Sequence, residues 1–426
     1  MLQVDHVYEF LYQELFKDFD LWHLRDGIVN TDNISMSDIT LFTRGRDTVL
    51  KIFFYDQEPF IEYLATPYIK IFNWVNHYSW EENIKLYKLN QLPHGIPADP
   101  TDYEFYLNNQ QCVYKKSVLV TSEYSDDVDQ CIEKNNFKKL YYFFHGFAAL
   151  DWYRGYYALN YNKLIVKPYK YDFISFNRII NNDRSYRIYF VSLLKESGLL
   201  DNGLVSFGVA DDLSDDWRDE VADPNTKLSQ HARHHSERHL TDISKLVIDG
   251  PNISGSASAD IPRTIKGWWP NNDQPNVDAL WHVVTETVFY YNKLHLTEKI
   301  FKPIVNKQPF MLLAAPGNLA YLKSYGFKTF DGIIDESYDS IQDNDSRIEA
   351  VVKQLAWYCG LSDQEKINVM RAIEPIVLHN FDHFYGEFRH IITRELLDNT
   401  KTVFQELGYK NQNIEYDKIY YLLTKT

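Results

Sequence analysis

Thr297-Glu298-Lys299 lies in the segment Leu294-His-Leu-Thr-Glu-Lys-Ile-Phe-Lys-Pro-Ile304, just ahead of the apolar run Pro309-Phe-Met-Leu-Leu313. A carboxylate such as Glu298 can hold the two hydroxyls of a ribose. An ammonium on the next residue can lie against a diphosphate, as can the N–H groups of a helix start capped by Thr297. Together these residue types point to a nucleoside-diphosphate site. Phe173-Ile-Ser-Phe-Asn-Arg178 reads as a buried strand emerging into a polar turn, with Asn177 in the turn and Arg184 and Arg187 on the first turns of the helix that follows. Guanidinium groups there can grip a diphosphate bidentately, although an ordinary surface helix explains two arginines equally well.

A group transfer also needs a base to take the acceptor's proton. Tyr55-Asp-Gln-Glu-Pro59 ends a very apolar strand, and an extended chain would turn Asp56 and Glu58 to one side of it. A hydrogen-bonded turn before Pro59 is the competing reading. His145, at the strand–loop junction Phe144-His-Gly, is a second candidate, and Gly146 would let the backbone approach a ligand. Glu286 closes the run Val283-Val284-Thr285 and so belongs at a strand's C-terminal edge, where sites form. His231, His234, His235 and His239 include i, i+4 pairs but have no cysteine partners; we read them as a solvated, acceptor-contacting segment and expect no metal. Asp211, Asp212, Asp215 and Asp216 likewise read as a solvated acidic run. Ala314-Ala-Pro-Gly-Asn-Leu319 reads as a βα turn whose amides could face phosphate.

These residues need elements to position them. The chain of 426 residues, 45% apolar, is long enough for two domains with separate cores. Expected strands are 49–55, 68–72, 117–121 and 140–144, with a helix over 126–134. A second series comprises strands 173–176, 204–207, 246–248, 279–285 and 309–314, with helices over 185–197 and 319–324. Such alternation predicts parallel sheets covered on both faces. A helix is also expected near the start, through Val7, Phe10, Leu11, Leu15 and Phe16. The polar stretch 210–271 reads as a long, partly mobile loop. Ser362-Asp-Gln-Glu365 is a capping box, and 388–407 gives a long final helix. The domains are expected at 1–165, 166–385 and 386–426, the last a helical extension.

A net charge of −15 argues against a general nucleic-acid binder. The 32 Tyr, 26 Phe and 9 Trp suit sugar faces, but large cores account for them more simply. Three cysteines, Cys112, Cys131 and Cys359, match no metal spacing and suggest free thiols in a reducing compartment. With no signal-peptide pattern and no apolar run long enough to span a bilayer, a cytoplasmic location is expected.

The order of strand, Ser-x-Asn turn, arginines, glutamate and Thr-Glu-Lys resembles the α-1,3-fucosyltransferase family across roughly 173–330. Tyr55-Asp-Gln-Glu-Pro59, His145-Gly-Phe147, Leu322–Phe330 and Ile334–Asp339 resemble the fucosyltransferase-like proteins of large tailed bacteriophages and some bacteria. The resemblance implies the GT-B architecture, α/β with two Rossmann-like domains facing a cleft and with C-terminal helices. It also implies inverting, metal-free transfer from a GDP- or UDP-linked sugar, with no cofactor. Glu298 would then contact ribose, Lys299 and Arg184 or Arg187 the diphosphate, and Asn177 would shape the turn. Departures are the residue between Ser175 and Asn177, the absence of asparagine after Glu286, and Leu294-His-Leu296 in place of a tyrosine-containing lead-in. The acceptor would be a saccharide or, by analogy with phage enzymes, a hydroxymethylated DNA base. DNA would need a groove of dispersed lysines such as Lys115, Lys116, Lys138, Lys139, Lys163 and Lys167. A non-catalytic nucleotide- or carbohydrate-binding protein of the same fold is the alternative.

Overall fold

The structure is a computed structural model that describes residues 11, 20–23, 51–56, 58–60, 117–158, 166, 168–208, 216–241, 276, 278–408 and 415–424. They divide between two compact units, one drawn from 145–391 and the other from 4–144 with 392–425. The division falls at 144/145, whereas the alternation of elements had suggested 165. Residues 392–425 group with the N-terminal unit instead of standing apart.

The N-terminal unit holds a four-stranded parallel sheet in chain order: β1 (Asp20–His23), β2 (Lys51–Tyr55), β3 (Ser117–Thr121) and β4 (Lys138–Tyr141). Every residue of β3 is buried, as an inner strand of a parallel sheet requires. Helix α1 (Asp126–Asn135) links β3 to β4; the Ser125 hydroxyl caps its start and Asn136, at φ 53°, ends it in the left-handed conformation. The expected strand 140–144 is displaced to 138–141. Phe144 instead opens helix α2 (Phe144–Trp152), so His145 lies on a first helical turn and not on a strand–loop junction.

The C-terminal unit holds β5 (Tyr171–Ser175), β6 (Gly203–Val205), β7 (Ala279–Thr285) and β8 (Phe310–Leu313), all parallel, in the spatial order β8-β7-β5-β6. Gly203 is opposite Phe173, and a Cβ there would meet the phenyl ring at 2.4 Å, which explains the glycine. Helix α3 (Tyr186–Glu196) joins β5 to β6 and buries every residue from Tyr186 to Leu194. That total burial follows from packing against α5 (Gln230–His239) and α8 (Asn344–Cys359).

Part of the expected loop 210–271 is therefore helical: α4 (Trp217–Ala222), capped by Asp216, and α5, capped by Ser229. Asp216 of the expected acidic run is thus a helix cap; Asp211, Asp212 and Asp215 lie outside the described residues, as do strands 68–72 and 246–248 and nearly all of the expected first helix. Helix α6 (Phe301–Val305) precedes β8, and α7 (Asn318–Ser324) follows it. The capping box at Ser362–Glu365 is present and starts α9 (Asp363–Tyr385); α10 (Glu387–Glu406) and α11 (Tyr416–Thr424) end the chain. No helix among the described residues is long and apolar enough to cross a membrane.

Arg347, 1% exposed, locks the C-terminal unit. Its guanidinium donates to the carbonyls of Ala314, Phe289, Ile341 and Gln342 and to Asn344 Oδ1. Burial pulls its pKa down to about 10, which still leaves it protonated at neutral pH. Arg347→Met should cost about 3–5 kcal/mol, because it strands several buried carbonyls without donors. Urea unfolding checks this, and a loss below 1 kcal/mol would contradict it.

Candidate functional site

From β5 the chain crosses to β6 on one side, and from β7 it crosses to β8 on the other. The carboxyl ends of β5 and β7 therefore flank a topological switch point, where open α/β sheets bind ligands. Of the residues picked from sequence, Asn177, Glu286, Thr297, Glu298 and Lys299 gather around these strand ends. Ser175 Oγ donates to the Val283 carbonyl at 3.1 Å, and Thr285 Oγ1 donates to the Phe176 carbonyl at 3.0 Å. Asn177, fully buried, donates its N–H to Ser206 Oγ (2.7 Å) and its amide Nδ2 to Ser175 Oγ (3.2 Å). Its Oδ1 has no hydrogen-bond partner among the described residues. Asn177 thus ties the chain beyond β5 to Ser175 and to Ser206 beyond β6.

Glu286 follows β7 and is fully buried. Oε2 accepts from Thr297 Oγ1 (2.5 Å) and the Thr287 N–H (3.2 Å), and Oε1 accepts from the Thr297 N–H (3.2 Å). The carboxylate thus tethers the end of β7 to the start of the Thr-Glu-Lys turn. Thr297 caps a 3-10 turn, Glu298–Ile300, that runs into the short helix α6. Having donated its one hydroxyl proton to Glu286, Thr297 Oγ1 accepts from the Lys299 N–H (3.4 Å) and Lys299 Nζ (3.1 Å). The Lys299 ammonium also donates to Thr287 Oγ1 (3.2 Å) and Glu298 Oε1 (3.1 Å), which employs all three of its protons.

Glu298 and Lys299 are the half-exposed members of this chain of contacts. Glu298 Oε2 lies 3.6 Å from His145 Nδ1, and the Tyr153 hydroxyl donates to the Glu298 carbonyl at 3.3 Å. Burial works to raise the Glu298 pKa, but Lys299 and His145 outweigh it and hold the carboxyl below its ordinary value. His145 is buried and packs edge-on against His295, with ring centroids 5.1 Å apart. Sequence reasoning missed Thr287, Tyr153 and His295, which carry no motif and are recruited by proximity alone.

The two arginines separate. Arg187 is buried and donates from Nη2 to the Thr285 carbonyl (2.7 Å) and from Nη1 to the Ile179 carbonyl (2.9 Å), so it braces the strand ends. Arg184 is half-buried in the 3-10 turn Asn182–Arg184. The carboxylates of the N-terminal unit separate too. Asp56 is buried and accepts from the Tyr142 hydroxyl, whereas Glu58 is exposed, so they do not share the one side that extended geometry predicts. Glu123 was not anticipated; buried beyond β3, it accepts from the Phe60 N–H at 2.8 Å and from the Ser125 hydroxyl. Lys139 pairs with Asp129 (2.7 Å) and Lys138 with Glu406 (3.0 Å), while Lys115, Lys116, Lys163 and Lys167 lie outside the described residues.

The histidine segment differs most from expectation. On α5, His235 and His239 stack at 4.4 Å and both face Glu196 at the end of α3. Their ligand atoms and that of Glu196 lie within 4.8 Å of one another. No family model, curated protein or solved structure matches the chain.

Thr297→Val should destabilise the protein by about 1–3 kcal/mol, since it removes a donor to a buried carboxylate. Burial raises the Glu286 pKa above its ordinary 4.5, against the pull of Lys299 and Thr297. A carboxyl that keeps its proton longer in the folded state stabilises below its unfolded pKa, and that contribution is lost as pH rises through the folded value. Relative to Glu286→Gln, the parent protein should therefore lose stability as pH rises above 4.5. Urea titrations at both ends of that range check this, and a pH-independent difference would contradict it.

Proposed function

We propose that the protein is a glycosyltransferase of GT-B type that transfers a sugar from a GDP- or UDP-linked donor to an acceptor hydroxyl with inversion. The observation that carries this reading is the convergence of Asn177, Glu286, Thr297, Glu298 and Lys299 on the switch point between β5 and β7. The parallel sheet in each of the two units, and the resemblance of the Thr-Glu-Lys region to α-1,3-fucosyltransferases, support it.

In this reading the Glu298 carboxylate, held ionised by Lys299 and His145, binds the ribose hydroxyls. Lys299 exchanges its contacts with Glu298 and the two threonines for the diphosphate, joined by Arg184. Arg187 is spent on the Thr285 and Ile179 carbonyls and acts by positioning. Glu286, bonded to Thr287 and twice to Thr297, holds the Thr-Glu-Lys turn in place and acts by positioning. The acceptor oxygen forms its bond to the anomeric carbon as the sugar–phosphate bond breaks. The electron pair leaves on the diphosphate, and the acceptor proton passes to Asp56 or Glu58. Cationic groups at the leaving phosphate act where negative charge develops, which is where electrostatic stabilisation counts most. A saccharide acceptor fits best, because the described lysines of the N-terminal candidate groove are paired with carboxylates in a strongly acidic chain.

Calorimetric and thermal-shift titrations with GDP- and UDP-sugars test this. One nucleotide at about 100 Kd should stabilise the protein by about 2.7 kcal/mol, and Lys299→Ala should weaken its binding at least tenfold. Replacing the true base, by Asp56→Asn or Glu58→Gln, should leave donor affinity unchanged and cut turnover by about 10²–10⁴. Hydroxymethylated DNA tested beside mixed glycans identifies the acceptor. No stabilisation by any nucleotide would overturn the reading.

A further inference from the structure

The i, i+4 pair His235 and His239 projects from α5 toward the end of α3. His235 Nε2 lies 2.9 Å from Glu196 Oε2, and His239 Nε2 lies 3.7 Å from Glu196 Oε1. Both ring nitrogens of His235 are held: Nδ1 lies 2.9 Å from Ser192 Oγ, which donates to the Tyr189 carbonyl at 2.7 Å, and Nε2 faces the Glu196 carboxylate. The imidazole is thereby fixed with one nitrogen aimed at Glu196, where a cation can be shared between them.

We propose that Glu196, His235 and His239 form a binding site for a divalent transition-metal ion of the zinc type. The donor set is the borderline nitrogen-and-oxygen combination that Zn²⁺ prefers. Tetrahedral zinc with bonds of about 2.0–2.1 Å spaces its ligand atoms about 3.4 Å apart; the His235 Nε2–Glu196 Oε2 separation is 2.9 Å, and one ligand atom from each of the three residues lies within 4.8 Å of the others, close enough to converge on one ion. Ser192 is the outer partner that orients a metal-bound histidine through its other nitrogen. Glu196 is half-exposed, which leaves an entry path and room for water as a fourth ligand. The bound ion would clamp α5 to α3, the helix that carries Arg187 and follows the turn bearing Arg184. This inference is independent of the glycosyltransferase reading.

Titration of Zn²⁺ into chelator-treated full-length protein, followed by calorimetry, is the test, with Co²⁺ absorption as a second readout of coordination. One equivalent should bind, and Co²⁺ should give the intense visible bands of a tetrahedral site. Glu196→Gln and His239→Gln should each weaken binding by about 10–100-fold. The partly exposed positions of these side chains allow both variants to fold, which circular dichroism verifies. His234→Gln, whose exposed ring faces the Gln230 carbonyl of its own helix, should bind as the parent does. Absence of one-to-one binding, or parental affinity in both Glu196→Gln and His239→Gln, would overturn the proposal and leave an imidazolium–carboxylate ion pair.

Discussion

The C-terminal unit depends on a carboxylate taken fully out of water. Glu286 survives there because three donors converge on it, from Thr287 and from both the backbone and the side chain of Thr297. Removing an ionised group from solvent costs several kcal/mol unless such partners replace the water. That requirement fixes the Thr-Glu-Lys turn to the end of β7. It orients Thr297 so that its lone pairs face Lys299, and it thereby sets where Lys299 and Glu298 emerge. The position of the exposed charges is thus a consequence of the buried one.

Two buried guanidinium groups extend the same logic. Arg187 takes carbonyls at the ends of β7 and the β5 turn, and Arg347 takes carbonyls from the segments that follow β7 and β8. Strand ends at a switch point leave backbone acceptors without ladder partners. A rigid, multiply donating side chain satisfies several at once and holds them in fixed register. The result is a preorganised edge, as a site needs if its groups are to meet charge without rearranging.

Much of this was legible in the sequence, and the exceptions have physical causes. The run Ala279–Thr285 gave its strand to the residue, since a strand buried on both faces reads as a near-continuous apolar run, here broken inside only by His282. The capping box before α9 was equally local. Helix α5 was not legible, because the residues it buries are the small Ala232 and Ser236, which leave no hydrophobic period. Its stability comes from α3, a contact that no local pattern encodes. Asp56 and Glu58 parted because a phenol 86 residues away captures one of them. Arg187 carried the right residue type, but which acceptor it meets is decided by the strand ends around it.

Hydrogen–deuterium exchange with and without the preferred nucleoside diphosphate tests the central claim, that the edge between β5 and β7 is the binding site. Added protection is predicted in two separated segments, 175–187 and 285–301, with little change in β1 to β4. Protection confined to other segments, or none at saturating nucleotide, would contradict the account.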